Sequence, residues 1–161
     1  MKYILFLTVC LFCFSVRASE IEVAQDIIRQ NKASLVILKD GKIVDKAYGR
    51  GVSPLLVLYD EKPNMLKDAI LVDKVIGKAV AFIAINAGMK RVYGQVMSMD
   101  AEKVLKKHNI SSNYSSLVPK ILNRNKDGEC PIELAVKNID DKDEALKAIR
   151  KKLEKLKKTP K

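Results

Sequence analysis

Cys130-Pro131 is the point in this chain where residue type and spacing most directly suggest chemistry. A proline in the first turn of a helix leaves the preceding thiol at the positive end of the helix dipole, which favours the thiolate. Two readings stay open there: a nucleophile, or a small hydrophobe packed away and inert. The segment before it, Asn123 to Gly128, is densely polar, and Arg124 and Lys126 are placed to hold an anionic ligand near the sulfur. A second group, Asp73, Lys74 and Lys78, falls in a stretch from Val72 to Ala87 that is otherwise nearly all apolar or small. Read as a helix, that stretch sets Lys78 one turn after Lys74. Such charges either reach solvent on long stems or line a pocket in which Asp73 pairs with a lysine. His108, the only histidine, lies among Lys106, Lys107 and Asn109, where it suits a helix C-terminus and has no orienting partner for acid-base work. Gly49-Arg50-Gly51 and Asp127-Gly128 lack the spacing of a phosphate loop.

The elements that must position these groups follow from periodicity and punctuation. Ile21, Ala24, Ile27 and Ile28 recur at helical spacing, predicting an amphipathic helix that ends near Asn31. Ala33 to Leu38, the Asp40-Gly41 turn and the alternating Lys42 to Tyr48 predict a hairpin. Pro54 opens a helix through Tyr59. Val72 to Ala87 reads as the buried central helix, stopped by Gly88. Arg91 to Met97 is a strand, Asp100 caps a helix through His108 with Asn109 as its stop, and Ile110 begins another extended piece. Cys130-Pro131 opens a helix with Glu133 near its positive end. Asp140-Asp141 caps a last helix whose seam is Leu146, Ile149, Leu153 and Leu156.

At the N-terminus, Lys2 precedes an apolar run from Tyr3 to Val16, which Arg17, Ser19, Glu20 and Glu22 terminate. A spanning helix needs about 20 apolar residues, so this run reads as a signal peptide (residues 1–18) cut near Ala18. The expectation is an exported chain, periplasmic or secreted, with no stable membrane anchor after cleavage. Cys10 and Cys13 leave with the signal, so Cys130 alone remains and no intrachain disulfide is possible. The formal charge of +11 falls by two, to +9, with the loss of Lys2 and Arg17. Much of it is local: after Glu144 come Lys147, Arg150, Lys151, Lys152, Lys155, Lys157, Lys158 and Lys161 against Glu154. That basic end has no aromatic residue on which bases would stack, so no nucleic-acid partner is expected. Its lysines either face water while the seam packs inward, or serve an interaction protein that acts through this helix. The division expected is residues 19–150 as one domain and 151–161 as a basic helix end and tail.

Five segments in order carry a resemblance: Ser34-Leu-Val-Ile-Leu-Lys-Asp-Gly-Lys, Gly49-Arg-Gly-Val-Ser-Pro-Leu-Leu, Asp73-Lys-Val-Ile-Gly-Lys-Ala, Lys106-Lys-His-Asn-Ile and Asn123-Arg-Asn-Lys-Asp-Gly-Glu-Cys-Pro-Ile-Glu. From about Ile21 to about Ala148 the chain resembles the family called domain of unknown function 1893. That family is similar in fold to the cytidine-deaminase-like superfamily. The resemblance implies an α/β protein: a single three-layer domain, a mixed β-sheet with helices on both faces, and a pocket beside the central helix.

Zinc deaminases open the central helix with His (or Cys)-x-Glu and the helix after the next strand with Pro-Cys-x-x-Cys. The comparable positions here are read as Asp73-Lys74-Val75 and the Ser98-Met99-Asp100 region. Val75 cannot shuttle a proton, and a single mature cysteine cannot complete a thiolate zinc site. No metal and no cofactor are therefore expected. The leading expectation is a pocket near Asp73, Lys74, Lys78, Arg124, Lys126 and Cys130 that takes a small polar, nucleotide-like ligand. The alternative is an enzyme of another type with Cys130 as nucleophile.

Overall fold

Residues 20–158 are described by a computed structural model, and the expected signal peptide lies outside them. A first helix, α1, covers residues 20–29. It ends in a reciprocal pair of backbone bonds, Asn31 N–H to the Ile28 carbonyl and Lys32 N–H to the Ile27 carbonyl, with Asn31 left-handed at φ 54°. That is the Schellman closure, and asparagine tolerates it. The hairpin forms as its sequence predicts: β1 (Leu35–Lys39) and β2 (Lys42–Ala47) flank Asp40 and Gly41, both at positive φ, the turn whose twist matches paired strands.

α2 (Ser53–Glu61) starts on Pro54, and the short α3 (Pro63–Leu66) follows. The next segments correct the sequence reading. Val72 to Ala87 is not one helix: β3 spans Ile70–Ile76, and α4 spans only Lys78–Asn86. A continuous apolar run looks alike whether it is a strand buried on both faces or a buried helix. The β-branched Val72, Val75 and Ile76 and the extended backbone at Gly77 (φ −96°, ψ 178°) decide for a strand that breaks into a helix. The predicted stop at Gly88 is found: its N–H bonds the Ile85 carbonyl and that of Met89 the Ala84 carbonyl.

β4 (Arg91–Ser98), α5 (Met99–Lys107) and β5 (Ser111–Val118) come next. The cap of α5 is Ser98, whose Oγ accepts from Ala101 N–H at 3.2 Å, and Asp100 sits inside the first turn rather than capping it. α6 (Pro131–Val136) and α7 (Lys142–Lys158) finish the chain. Asp141 caps α7 by accepting from the Asp143 and Glu144 amides at 2.9 Å each. α7 runs unbroken through Arg150 and Lys151, and of its predicted seam Ile149 is fully buried, whereas Leu156 is 45% exposed.

The five strands form one mixed sheet in the order β2-β1-β3-β4-β5. β1 is antiparallel to both β2 and β3, whereas β3, β4 and β5 run parallel. On one face α1 covers Val36, Leu38 and Val72 with Ala24 and Ile28. On the other lies the larger core, in which α4 is buried from Lys78 to Ala84 among α2, α5, α6 and α7. Leu71 and Ile76 enter that same core, as do Val92 and Met97. Side chains alternate along a strand, so an odd separation belongs on opposite faces. Both strands therefore reverse their facing across Asp73–Val75 and Gly94–Val96. Gly94 is required there, because a Cβ would lie 2.9 Å from the Val96 carbonyl oxygen.

Candidate functional site

The parallel strands β3, β4 and β5 deliver their carboxyl ends to one edge, where α4 and α5 begin. Ligands of open α/β sheets bind at such an edge. Here it carries a cleft lined by Lys78, Ser98, Asp100, Lys120, Ile121, Glu129, Glu133 and Lys137. Charges of both signs converge on it, yet this open cleft leaves only about 10 Å³ of room for a water-sized guest.

Its floor is a reciprocal clasp between α4 and α6. Glu133, on α6, accepts from the Lys78 amide at 2.7 Å and the Ala79 amide at 3.1 Å. These are the free N–H groups that every helix leaves at its first turn, here satisfied by a carboxylate rather than by a neighbouring cap residue. In return the Lys78 ammonium donates to the Lys137 carbonyl at 2.8 Å, just past the end of α6. It also lies 3.9 Å from the exposed Asp140 carboxylate and 5.7 Å from the centre of the Phe82 ring. Gly77 makes the clasp possible, since a Cβ on it would sit 2.4 Å from the Glu133 carboxyl group. Burial raises the Glu133 pKa above the usual carboxylate range, against the two amides that favour its charge. Glu129 goes the other way: desolvation opposes ionisation, but Lys120 and Lys137, at 3.3 and 3.4 Å, together hold its pKa low.

Of the residues singled out from sequence as ligand-binding, only Lys78 lines the cleft. Asp73 and Lys74 belong to β3 and not to a helix opening, and the Lys74 ammonium goes to Asn31 rather than to the Asp73 carboxylate. Asp73 is 8% exposed, lies between Leu35 of β1 and Gly94 of β4, and accepts from the Val75 amide at 2.9 Å. Burial pushes its pKa up to about 7. Lys74 is exposed and donates to Asn31 Oδ1 at 2.6 Å, tying β3 to the end of α1. Arg124 and Lys126 are exposed on the loop before α6. That loop closes on itself through Asn123 N–H to the Gly128 carbonyl and Asn123 Nδ2 to Asp127, which accounts for its polarity.

Cys130, free and half-buried, is the N-cap residue of the six-residue α6 without a side-chain capping bond; it packs against the large core, and its amide donates to the Ile121 carbonyl at 2.9 Å. His108 closes α5 as its C-cap.

The lining residues not singled out from sequence as ligand-binding are Ser98, Asp100, Lys120, Ile121, Glu129, Glu133 and Lys137. Glu133 was visible only as a favourable residue at the start of its own helix. Its partners lie 55 and 54 residues away, a pairing that no local pattern signals. The helices that leave the sheet edge open on Gly77-Lys78-Ala79 and Ser98-Met99-Asp100, which offer no thiolate or imidazole. Among the described residues, no three His, Cys, Asp or Glu side chains are grouped to hold a metal ion.

Residues 23–153 match the model of the family described as Domain of unknown function (DUF1893). The chain belongs to this family. A crystal structure of a DUF1893 family protein (TM1506) from Thermotoga maritima, at 2.70 Å resolution, is similar over 85% of this chain and 90% of that one, with 25% identity and a TM-score of 0.73. No curated protein matches. The DUF1893 assignment bears out the family resemblance read from the five segments, and with it the mixed α/β architecture. Among the described residues, no helix is long and apolar enough to cross a membrane.

Proposed function

We propose that this DUF1893 protein is an exported, deaminase-like binding module without zinc machinery, which takes a small polar ligand in the cleft at the carboxyl ends of β3, β4 and β5. The observation that carries the reading is the convergence there of Lys78, Lys120 and Lys137 with Asp100, Glu129 and Glu133 around the openings of α4 and α5. The strand order β2-β1-β3-β4-β5, with helices on both faces, supports a cytidine-deaminase-like placement. The helix openings Gly77-Lys78-Ala79 and Ser98-Met99-Asp100 carry no cysteine and no histidine, so they do not fit a thiolate zinc site. Donors and acceptors of both signs suit a ligand that presents both, as nucleobases and nucleotides do. The apolar N-terminal run supports export.

The test is thermal unfolding of the purified chain with nucleosides, nucleotides and amino acids. A ligand at a hundred times its Kd adds about 2.7 kcal/mol of stability and raises Tm. The gain should vanish in the Lys120→Ala/Lys137→Ala double variant. Stoichiometric zinc in the purified protein together with deamination of cytidine would end the proposal.

A further inference from the structure

Five of the eight residues that line the cleft lie between 120 and 137, within the single connection that joins β5 to α7. The other three, Lys78, Ser98 and Asp100, open the helices of the rigid sheet edge. The cleft leaves only about 10 Å³ of room for a water-sized guest, so the groups held in the clasp are covered while both sets stay in place. The connection is also the less firmly built wall. Residues 119–141 hold one six-residue helix, one isolated bridge between Leu122 and Glu129, and a loop with Lys126 in the left-handed region. Ile132 and Val136 anchor α6 in the core, and the polar part of its attachment is the clasp.

We infer that residues 119–137 form a hinged strap over the cleft, held shut by Glu133 on the Lys78 and Ala79 amides and by the Lys78 ammonium on the Lys137 carbonyl. Closed, the strap places the protein's own carboxylate where the first turn of α4 would meet an anionic group of an incoming molecule. Opened, it frees both amides and the ammonium together. The clasp therefore sets whether the cleft can be entered. Its meaning as a gate rests on the cleft being the binding site, but the motion itself does not.

The experiment is amide hydrogen exchange of the full chain, read residue by residue. The strap amides and those of Lys78 and Ala79 should exchange through a partial opening, faster than the amides of β3 and β4, which wait for global unfolding. Glu133→Ala should speed the first set on the order of 30- to 900-fold, as loss of a charged acceptor for two amides requires, and the amides of β3 and β4 by a like factor, since global unfolding breaks the clasp too. Glu133→Gln, which keeps the shape and one acceptor oxygen, should do so less, and serves if the alanine variant does not fold. Val36→Ala, on the opposite face of the sheet, should accelerate β3 and β4 while leaving the exchange of the strap unchanged, because the strap opens without breaking that face. If the wild-type strap exchanges only as slowly as β3 and β4, or if Val36→Ala speeds the strap as much as it speeds β3 and β4, there is no strap. If the strap opens as described while no ligand protects it, the motion stands and the binding reading fails.

Discussion

Adding one methyl group at Gly77 should reverse the sign of its effect according to what stands at position 133. In the wild-type background the new Cβ would meet the Glu133 carboxyl at 2.4 Å, so the carboxylate must leave the Lys78 and Ala79 amides. Losing a charged acceptor that serves two amides costs about 2 to 4 kcal/mol, which covers the desolvated N–H groups left behind. The backbone at Gly77, φ −96° and ψ 178°, is open to any residue, so alanine restricts the unfolded chain without native strain. That contributes about 0.4 to 1 kcal/mol in the stabilising direction. Gly77→Ala alone should therefore cost about 1 to 3.6 kcal/mol.

Glu133→Ala alone should cost about 2 to 4 kcal/mol. With the carboxylate already gone, however, Gly77→Ala has nothing to displace and should restore about 0.4 to 1 kcal/mol. Urea unfolding of the four proteins, followed by circular dichroism with m checked for constancy, closes the cycle. Additive losses in the double variant would refute the clasp as the reason position 77 is glycine.

Asp73 provides a pH test. Its folded pKa of about 7 lies above the ordinary 3.8, so the native state holds the proton more tightly. The associated stability is full below pH 3.8 and is lost as pH rises to about 7. Asp73→Asn should thus stabilise at pH 8, by up to roughly 4 kcal/mol, and change little at pH 4; an equal effect at both, in chemical denaturation, would count against the burial argument. Gly94→Ala should destabilise by about 1 to 3 kcal/mol, since the Val96 carbonyl oxygen is 2.9 Å from the added carbon and belongs to the backbone; thermal melts decide it. Arg150→Ala breaks a two-pronged pair with Asp60 whose side chains are 40% and 44% exposed, and it should cost no more than about 1 kcal/mol, the loss shrinking in high salt.

Local chemistry settled much of this fold. Asp40-Gly41 dictates its turn, Asn31, Gly88 and Asn109 dictate helix stops, and Pro54 and Pro131 dictate helix starts. Each acts through backbone freedom within a few residues, which is why it is legible in one dimension. The family, too, was readable from five short segments in order. What failed was the apolar stretch from Val72 to Ala87, where burial of most of its residues removes the polar contrast that reveals a period. Because that stretch holds a strand and then a helix, Asp73 and Lys74 moved from a pocket rim to a sheet interior and an outer contact with Asn31. Cys130 kept its predicted place ahead of Pro131, and the tertiary structure added that its thiol rests against the core.

The cleft was decided only by the tertiary structure. Lys78 was in view from the start, but its partners arrive from β4, from the connection after β5 and from α6, brought together by the parallel crossovers. A carboxylate that caps a helix 55 residues away leaves no trace in the sequence near either group. Residue type and spacing determined where this chain turns and stops; the packing of α6 on α4 determined which charges meet.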